Sequence, residues 1–323
     1  MKGMASIRSP RFARVDDALP EAFVATDRHL AILRWLFEHR VLSSDLIADL
    51  DGGSPQQVLR TLRTMYDAGL VDRPKAQIAL LIQRGNAPLL YCLGRAGARL
   101  LAERDGLDVS RIDWTQKNQR LGSVFLEHQL GIARFRVALE RAVRTRSDIA
   151  LIKRHELVAR FPEATRALRQ PLKVDAAVRL AISSPRTEIL ANVPDDIFAL
   201  SIPDSGRTAH FPVEIDTGSM KVTPRRGISP NETSVLRKLA VFWHAWRQER
   251  FATLWGIPQQ RILFVTTSQK RIATMLEAVR HPLVCDGRGS DMFVFGTFAD
   301  IAASGPLAAV WTTGKGEPVS LLE

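Results

Sequence analysis

Two cysteines in 323 residues, Cys92 and Cys285, cannot form a disulfide framework, and their separation excludes a CxxC zinc site. No apolar stretch approaches the length of a membrane span, and the basic segment 1–14 lacks the apolar core of a signal peptide. The expectation is therefore a cytoplasmic protein with no membrane partner and a flexible basic arm over residues 1–26. The phosphate-cradling pattern GxxxxGK[ST] is absent, so ATP-driven remodelling has no support. None of the seven histidines stands two residues from another, which excludes an HxH metal cluster. Tyrosine is scarce as well, with Tyr66 and Tyr91 the only two.

Positive charge, by contrast, is in excess. Lysine and arginine number 45 against 34 aspartates and glutamates, giving a formal charge of +11 and a pI near 10.3. A polyanion such as DNA is the natural partner, because each neutralised phosphate releases counterions. The plain alternative is that net charge serves solubility. Sixteen basic and fourteen acidic residues stand before Thr115 and 29 and 20 from there on, so most of the surplus belongs to the second part. At 46% hydrophobic, the chain can bury a large core and is long enough for two domains.

Residues 27–105 carry the signals of a winged helix-turn-helix. Thr26-Asp27 can cap a helix over 29–39, a short helix over 46–50 follows, and Ser54-Pro55 opens a third over 56–68 with proline at the first position. Val58, Leu59, Leu62 and Met65 are expected inward on that third helix. Two extended runs, 77–83 and 88–93, joined by a hairpin tip at 84–87, read as the wing, and a helix over 95–104 closes the unit. The stretch VLRTLRTMYDAGLVDR…YCLGRAGARLLAE resembles bacterial regulators of this fold. In such a fold the third helix enters the major groove, which makes Gln56, Gln57, Arg60 and Arg63 the candidate DNA readers, flanked by Arg73, Lys75 and Arg84 on the wing. A solvated face, or docking onto protein, is the alternative.

After a polar linker at 106–114, residues 115–323 read as a helix over 115–146, strands at 149–152, 174–182 and 210–216, a helix over 231–251, a strand at 261–267, a helix over 268–279, and closing strands at 292–295 and 308–311. The fold class is α/β, α+β overall, with a mixed sheet flanked by helices as in restriction-endonuclease-like domains. Asp175 and the Glu214–Asp216 pair sit inside apolar runs, where an unpaired carboxylate is costly to bury. A divalent cation held by hard oxygen ligands would compensate that cost, and magnesium suits the case.

The segments EHQLGIARFRVAL, VDAAVRL, FPVEIDTGS and LRKLAVFWHAW, downstream of a winged helix, resemble the replication-relaxation family of plasmid and mobile-element proteins. The resemblance implies a degenerate PD-(D/E)XK nuclease core like that of similar mobilisation relaxases. It places Asp175 at the motif's first Asp and Glu214 at its (D/E), together holding Mg2+ or Mn2+. Asp216 and Glu127 are further ligand candidates. Asp216 stands where the motif's lysine belongs, so Lys238 on the next helix is the candidate for that role, and Pro171 lies four residues before Asp175 rather than beside it. An ion pair with Arg225, Arg226 or Arg237 is the alternative for Asp216. The implied function is a DNA-binding, metal-dependent nickase or endonuclease of plasmid or mobile-element mobilisation or replication. Its implied partners are DNA, other mobilisation or replication proteins and, as with many winged helices, a second copy of the chain, although no heptad pattern is present. A covalent tyrosyl mechanism is disfavoured, since both tyrosines fall in the winged helix. The competing reading is a non-catalytic replication initiator or transcriptional regulator with a decayed nuclease fold. Trp243, Trp246 and Trp255 can stack on unpaired bases, with core burial the simpler role.

Overall fold

Thr26 caps the first helix as its sequence predicts. Its hydroxyl accepts from the His29 N–H while the His29 ring accepts from the Thr26 N–H, a reciprocal pair that fixes the start of α1 (Asp27–His39). The computed structural model describes residues 23–85, 87–106, 122–183, 185–224 and 227–323, without the side chains of Gln83 and Arg84. The expected basic arm, the linker at 106–114 and the first turns of the 115–146 helix lie mostly outside the described residues.

The chain divides into two compact units, Met1–Val137 and Ala138–Glu323. In the first, β1 (Leu42–Ser43) leads into α2 (Ser44–Asp51), which ends where Gly52 takes the left-handed conformation open to glycine. Next come α3 (Pro55–Asp67) and β2 (Val71–Asp72), then α4 (Gln77–Arg84), β3 (Leu90–Leu93) and α5 (Arg95–Asp105). The strands form an antiparallel sheet in the order β1-β3-β2. Ile32, Leu33, Leu36, Val58, Leu62 and Met65 fill the core between helices and sheet. Gly97 permits close packing of α5, since a Cβ there would lie 2.1 Å from the Leu70 carbonyl oxygen.

Two expectations fail in this unit. The run 77–83 is helical, not a wing strand. An unbroken Ile-Ala-Leu-Leu-Ile segment fits either state, and the buried Gln77 side chain decides it: its amide donates to the Leu90 carbonyl (2.9 Å) and accepts from the Leu90 N–H (2.8 Å), occupying the edge a partner strand would use. Leu59 is 48% exposed rather than inward.

The helix α6 (Ser123–Arg144) was expected to belong wholly to the second domain. The division between the units falls within it, because Leu126, Leu130, Ala133 and Val137 complete the core of the first unit.

The second unit runs β4 (Ala150–Ile152), α7 (Arg154–Ala159), α8 (Glu163–Arg166), β5 (Val174–Arg179), β6 (Thr187–Asn192), β7 (Asp196–Ile202) and β8 (Arg207–Ile215). It continues with α9 (Val235–Arg247), α10 (Arg250–Trp255), β9 (Ile262–Thr266), α11 (Gln269–Val279), β10 (Phe293–Thr297), α12 (Phe298–Ser304), β11 (Trp311–Thr313) and β12 (Pro318–Val319). Seven strands form a mixed sheet ordered β12-β11-β10-β9-β8-β7-β4. The β8–β9 and β9–β10 pairs are parallel, and each is joined by a helical crossover. Strand β9 is buried along its whole length, which explains its unbroken Ile-Leu-Phe-Val run. The expected helix over 231–251 is two helices, because Glu249 takes a positive φ of 54° between α9 and α10.

Strand β5, which carries Asp175, is not part of this sheet. Among the described residues it pairs with β6 alone, in a separate two-stranded ribbon, and the strand between β4 and β8 is β7. Among the described residues, no helix is long and apolar enough to cross a membrane.

Candidate functional site

Strands β7 and β8 run antiparallel with Asp196 opposite Val213, which brings Asp195 beside Glu214. The Asp195 N–H donates to the Val213 carbonyl (2.9 Å), and its carboxylate accepts from the Ile215 N–H (2.8 Å). Glu214 is 1% exposed. One of its oxygens accepts from Asn192 Nδ2 at 2.6 Å, and the other is in short contact with Lys238 Nζ. Lys238 reaches it from the first turn of α9, whose N-terminus Ser234 caps by accepting from the Arg237 N–H (3.1 Å).

Burial pushes the Glu214 carboxyl up from its ordinary 4.5. The Lys238 ammonium opposes that rise, the charge on Asp195 reinforces it, and the carboxyl settles at about 7. Burial pulls Lys238 down, but attraction to Glu214, Asp195 and Asp216 outweighs it and leaves the lysine above its ordinary value. The cluster therefore holds one firmly protonated ammonium and two carboxylates that repel each other.

Asp175 is not part of this cluster. Its carboxylate pairs with Arg250 Nη2 at 2.6 Å and Nε at 3.1 Å, about one-third exposed, because it stands opposite Ala191, one position from the Val174–Asn192 pair, and successive side chains of a strand face opposite ways. Asp216 follows β8 but is closed off in another way. Arg271 grips both its oxygens (2.5 and 2.8 Å) and the Thr266 hydroxyl donates to one (2.6 Å), so its lone pairs serve an ion pair rather than a metal. That partner is Arg271 and not Arg237, which donates to the Ala191 carbonyl; Arg225 and Arg226 lie outside the described residues. Glu127 belongs to the first unit, whereas this cluster is assembled entirely from the second.

Of the expected residues, then, only Glu214 and Lys238 come together. Sequence reasoning missed Asp195 and Asn192. A signal for Asp195 was present in Val193-Pro194-Asp195-Asp196, a proline directly before the acid at the head of the apolar run Ile197–Leu200. That is the adjacency Pro171 and Asp175 lack. Two strands unseen at 187–202 concealed it.

In the first unit, Gln56, Gln57 and Arg60 are exposed on α3, and Arg63 pairs with Asp67 one turn on (2.8 Å). Lys75 is exposed in the turn before α4. Arg84 ends α4, and its side chain lies outside the described residues. Arg73 is no surface reader. It is 8% exposed, lies 4.1 Å over the Tyr66 ring and 5.2 Å over that of Tyr91, and donates to the Tyr91 hydroxyl. Both tyrosines thus serve packing. Trp255 is buried, Trp243 is half-buried, and Trp246 is 42% exposed.

Residues 33–253, well over half of the chain, match the family model described as Replication-relaxation. No curated protein and no solved structure matches.

Proposed function

Because the chain belongs to the replication-relaxation family, we propose that it is a metal-dependent DNA nickase of replication or mobilisation, with its reaction centre at Asp195, Glu214 and Lys238. One observation carries this reading: a fully buried glutamate is raised to about 7 and set against a second carboxylate and a lysine at the rim of a mixed sheet. Burial is the main cause of that rise, and the charge on Asp195 adds to it.

The donor set suits a hard divalent cation. Two mutually repelling carboxylates gain more from a doubly charged ion than from one ammonium, and magnesium needs few protein ligands. Asp195 and Glu214 would hold Mg2+ or Mn2+, whose chemistry when bound is to polarise a phosphate oxygen and acidify water. Lys238, turned from Glu214 toward substrate, offsets the charge gathering on the phosphorane. Asn192 keeps Glu214 oriented through its own hydrogen bond. Asp216 and Arg271 anchor the end of β8 and leave Lys238 as the cation for the transition state. Gln56, Gln57 and Arg60 on α3 supply duplex contacts.

The test is relaxation of a supercoiled plasmid carrying the DNA that adjoins the chain's own coding sequence. Wild-type protein and Asp175→Asn should nick in Mg2+ and not in EDTA, while Asp195→Asn, Glu214→Gln and Lys238→Met should not nick. Undiminished nicking by Asp195→Asn and Glu214→Gln rejects the assignment.

A second reading has its own support. Both Glu214 oxygens are already engaged by Asn192 and Lys238, as expected of a decayed site in a DNA-binding initiator or regulator. Calorimetric titration separates the two: heat from Mn2+ that vanishes in Asp195→Asn supports the nickase, and no heat from either protein supports the regulator.

A further inference from the structure

Arg237 and Lys238 stand side by side in the first turn of α9, a turn that holds no acidic residue. Cations are disfavoured at this end of a helix, where the macrodipole is positive. Lys238 is compensated by Glu214. Arg237 is not: among the described residues its guanidinium meets no carboxylate and makes one hydrogen bond, from Nη1 to the neutral Ala191 carbonyl at 3.1 Å. Nε is enclosed without a partner, whereas Nη2 is neither enclosed nor bonded and stays open to a ligand. The side chain is half-buried, and burial lowers its pKa with no charge acting against it. A desolvated guanidinium facing a single neutral oxygen is costly, and an anion accepting from its open nitrogen relieves that cost.

The backbone of the same turn offers an anion nothing. The N–H groups of Val235, Leu236 and Arg237 are taken by the Lys221 and Val222 carbonyls and the Ser234 hydroxyl, so what the turn leaves is the guanidinium. That group adjoins the carboxylate cluster on two elements at once. Arg237 comes one residue before Lys238 on α9, and it bonds to Ala191, one residue before Asn192, whose amide holds Glu214. One step along a strand is about 3.3 Å. Asp175, opposite Ala191, does not supply the missing charge, because Arg250 already holds it.

The geometry points to Arg237 as the residue that binds, through Nη2, the DNA phosphate adjoining the one set for cleavage at Glu214. The inference rests on the nickase reading above and gives it a contact it does not yet use. Lys238 serves the charge of the transition state, whereas a neighbouring phosphate is an anion before and after the chemistry. A carboxylate from a protein partner would neutralise one guanidinium equally well. DNA is favoured because this half of the chain carries 29 basic against 20 acidic residues, and a strand presents a phosphate at every step.

The experiment is fluorescence anisotropy of the full chain with a labelled duplex of the DNA that adjoins its coding sequence, in EDTA and over a range of salt. Arg237→Met removes the uncompensated cation and keeps the stem, so it should fold at least as stably as the wild type in urea denaturation. Its affinity should fall about ten-fold, and its slope of log affinity against log salt should be smaller by about 1. Arg237→Lys should restore the slope and only part of the affinity, because an ammonium keeps the charge without the fork. Arg247→Met, which takes an exposed cation already paired with Asp286 from the other end of α9, should bind as the wild type does. Unchanged binding by Arg237→Met overturns the proposal and leaves the guanidinium to a protein carboxylate. An equal loss in Arg247→Met overturns it in favour of the general field, and a loss of stability in Arg237→Met overturns it in favour of a structural arginine. In Mg2+, Arg237→Met should nick with a raised KM at unchanged kcat, while a lowered kcat at unchanged affinity overturns the adjoining position by placing the residue on the reacting phosphate. Absence of binding by the wild type overturns the DNA-binding reading and this contact together. Binding that depends on Arg237 without any nicking supports the contact and overturns the catalytic assignment alone.

Discussion

Replacing Glu214 with glutamine should flatten a pH dependence of folding that the wild type displays. In the folded chain this carboxyl stands at about 7 against an ordinary 4.5. Between those values the folded state keeps a proton that the unfolded chain has released. The associated stabilisation is therefore complete below about pH 4.5 and lost as pH rises through about 7. Across the full interval it amounts to about 3 kcal/mol at 1.36 kcal/mol per pH unit. Lys238, raised above its ordinary value, stays charged throughout. His29, His210, His244 and His281 are all lowered, chiefly by burial, so they act in the opposite sense: their contribution is present above 6.5 and lost as pH falls through their folded values. The quantity to measure is accordingly the difference between wild type and Glu214→Gln, which share those histidines. Urea denaturation followed by tryptophan fluorescence in EDTA, from pH 5 to 8, should show that difference shrinking by roughly 2–3 kcal/mol as pH rises. Added Mg2+ should restore wild-type stability mainly above pH 7, where it no longer competes with the proton, by about 2.7 kcal/mol at one hundred times Kd. Parallel pH profiles for the two proteins would refute the argument from burial.

Other outcomes follow from neighbouring contacts. Lys238→Ala leaves Glu214 buried without its ammonium and should cost about 3 kcal/mol in denaturant titration, with Lys238→Met costing less because the stem's packing survives. Asp175→Asn breaks a pair that is one-third exposed and should change stability by less than about 1 kcal/mol. Arg73→Ala removes the cation between Tyr66 and Tyr91 and should destabilise the chain by about 2 kcal/mol in a melt. Arg60→Ala should leave the melt unchanged and reduce the slope of log affinity for duplex DNA against log salt by about 1.

Local signals carried a good deal of this molecule. The Thr26 cap, the proline opening α3 and the apolar Ile262–Val265 run each name their element, because capping and periodicity act within a few residues. Glu214 was legible for a similar reason: a carboxylate inside an apolar strand needs compensation wherever the strand lies. Charge balance and the family segments were equally readable along the chain.

Partnership was not. Asp175 and Asp195 both head apolar strands, but only β7 adjoins β8, across the short turn at 203–206, and that hairpin brings Asp195 to Glu214. Strand β5 closes with β6 instead, and the fold leaves Asp175 to Arg250, 75 residues further on. Gln77 likewise turned an ambiguous apolar run into a helix by bonding its own amide to Leu90 of β3, just beyond the stretch that β2 pairs. Asp216 found Arg271 on α11, the fourth element after β8, and Gln260 was left with no partner among the described residues. The kinds of element follow from short-range sterics and burial, whereas the meeting of charges depends on which surfaces the whole chain can close together.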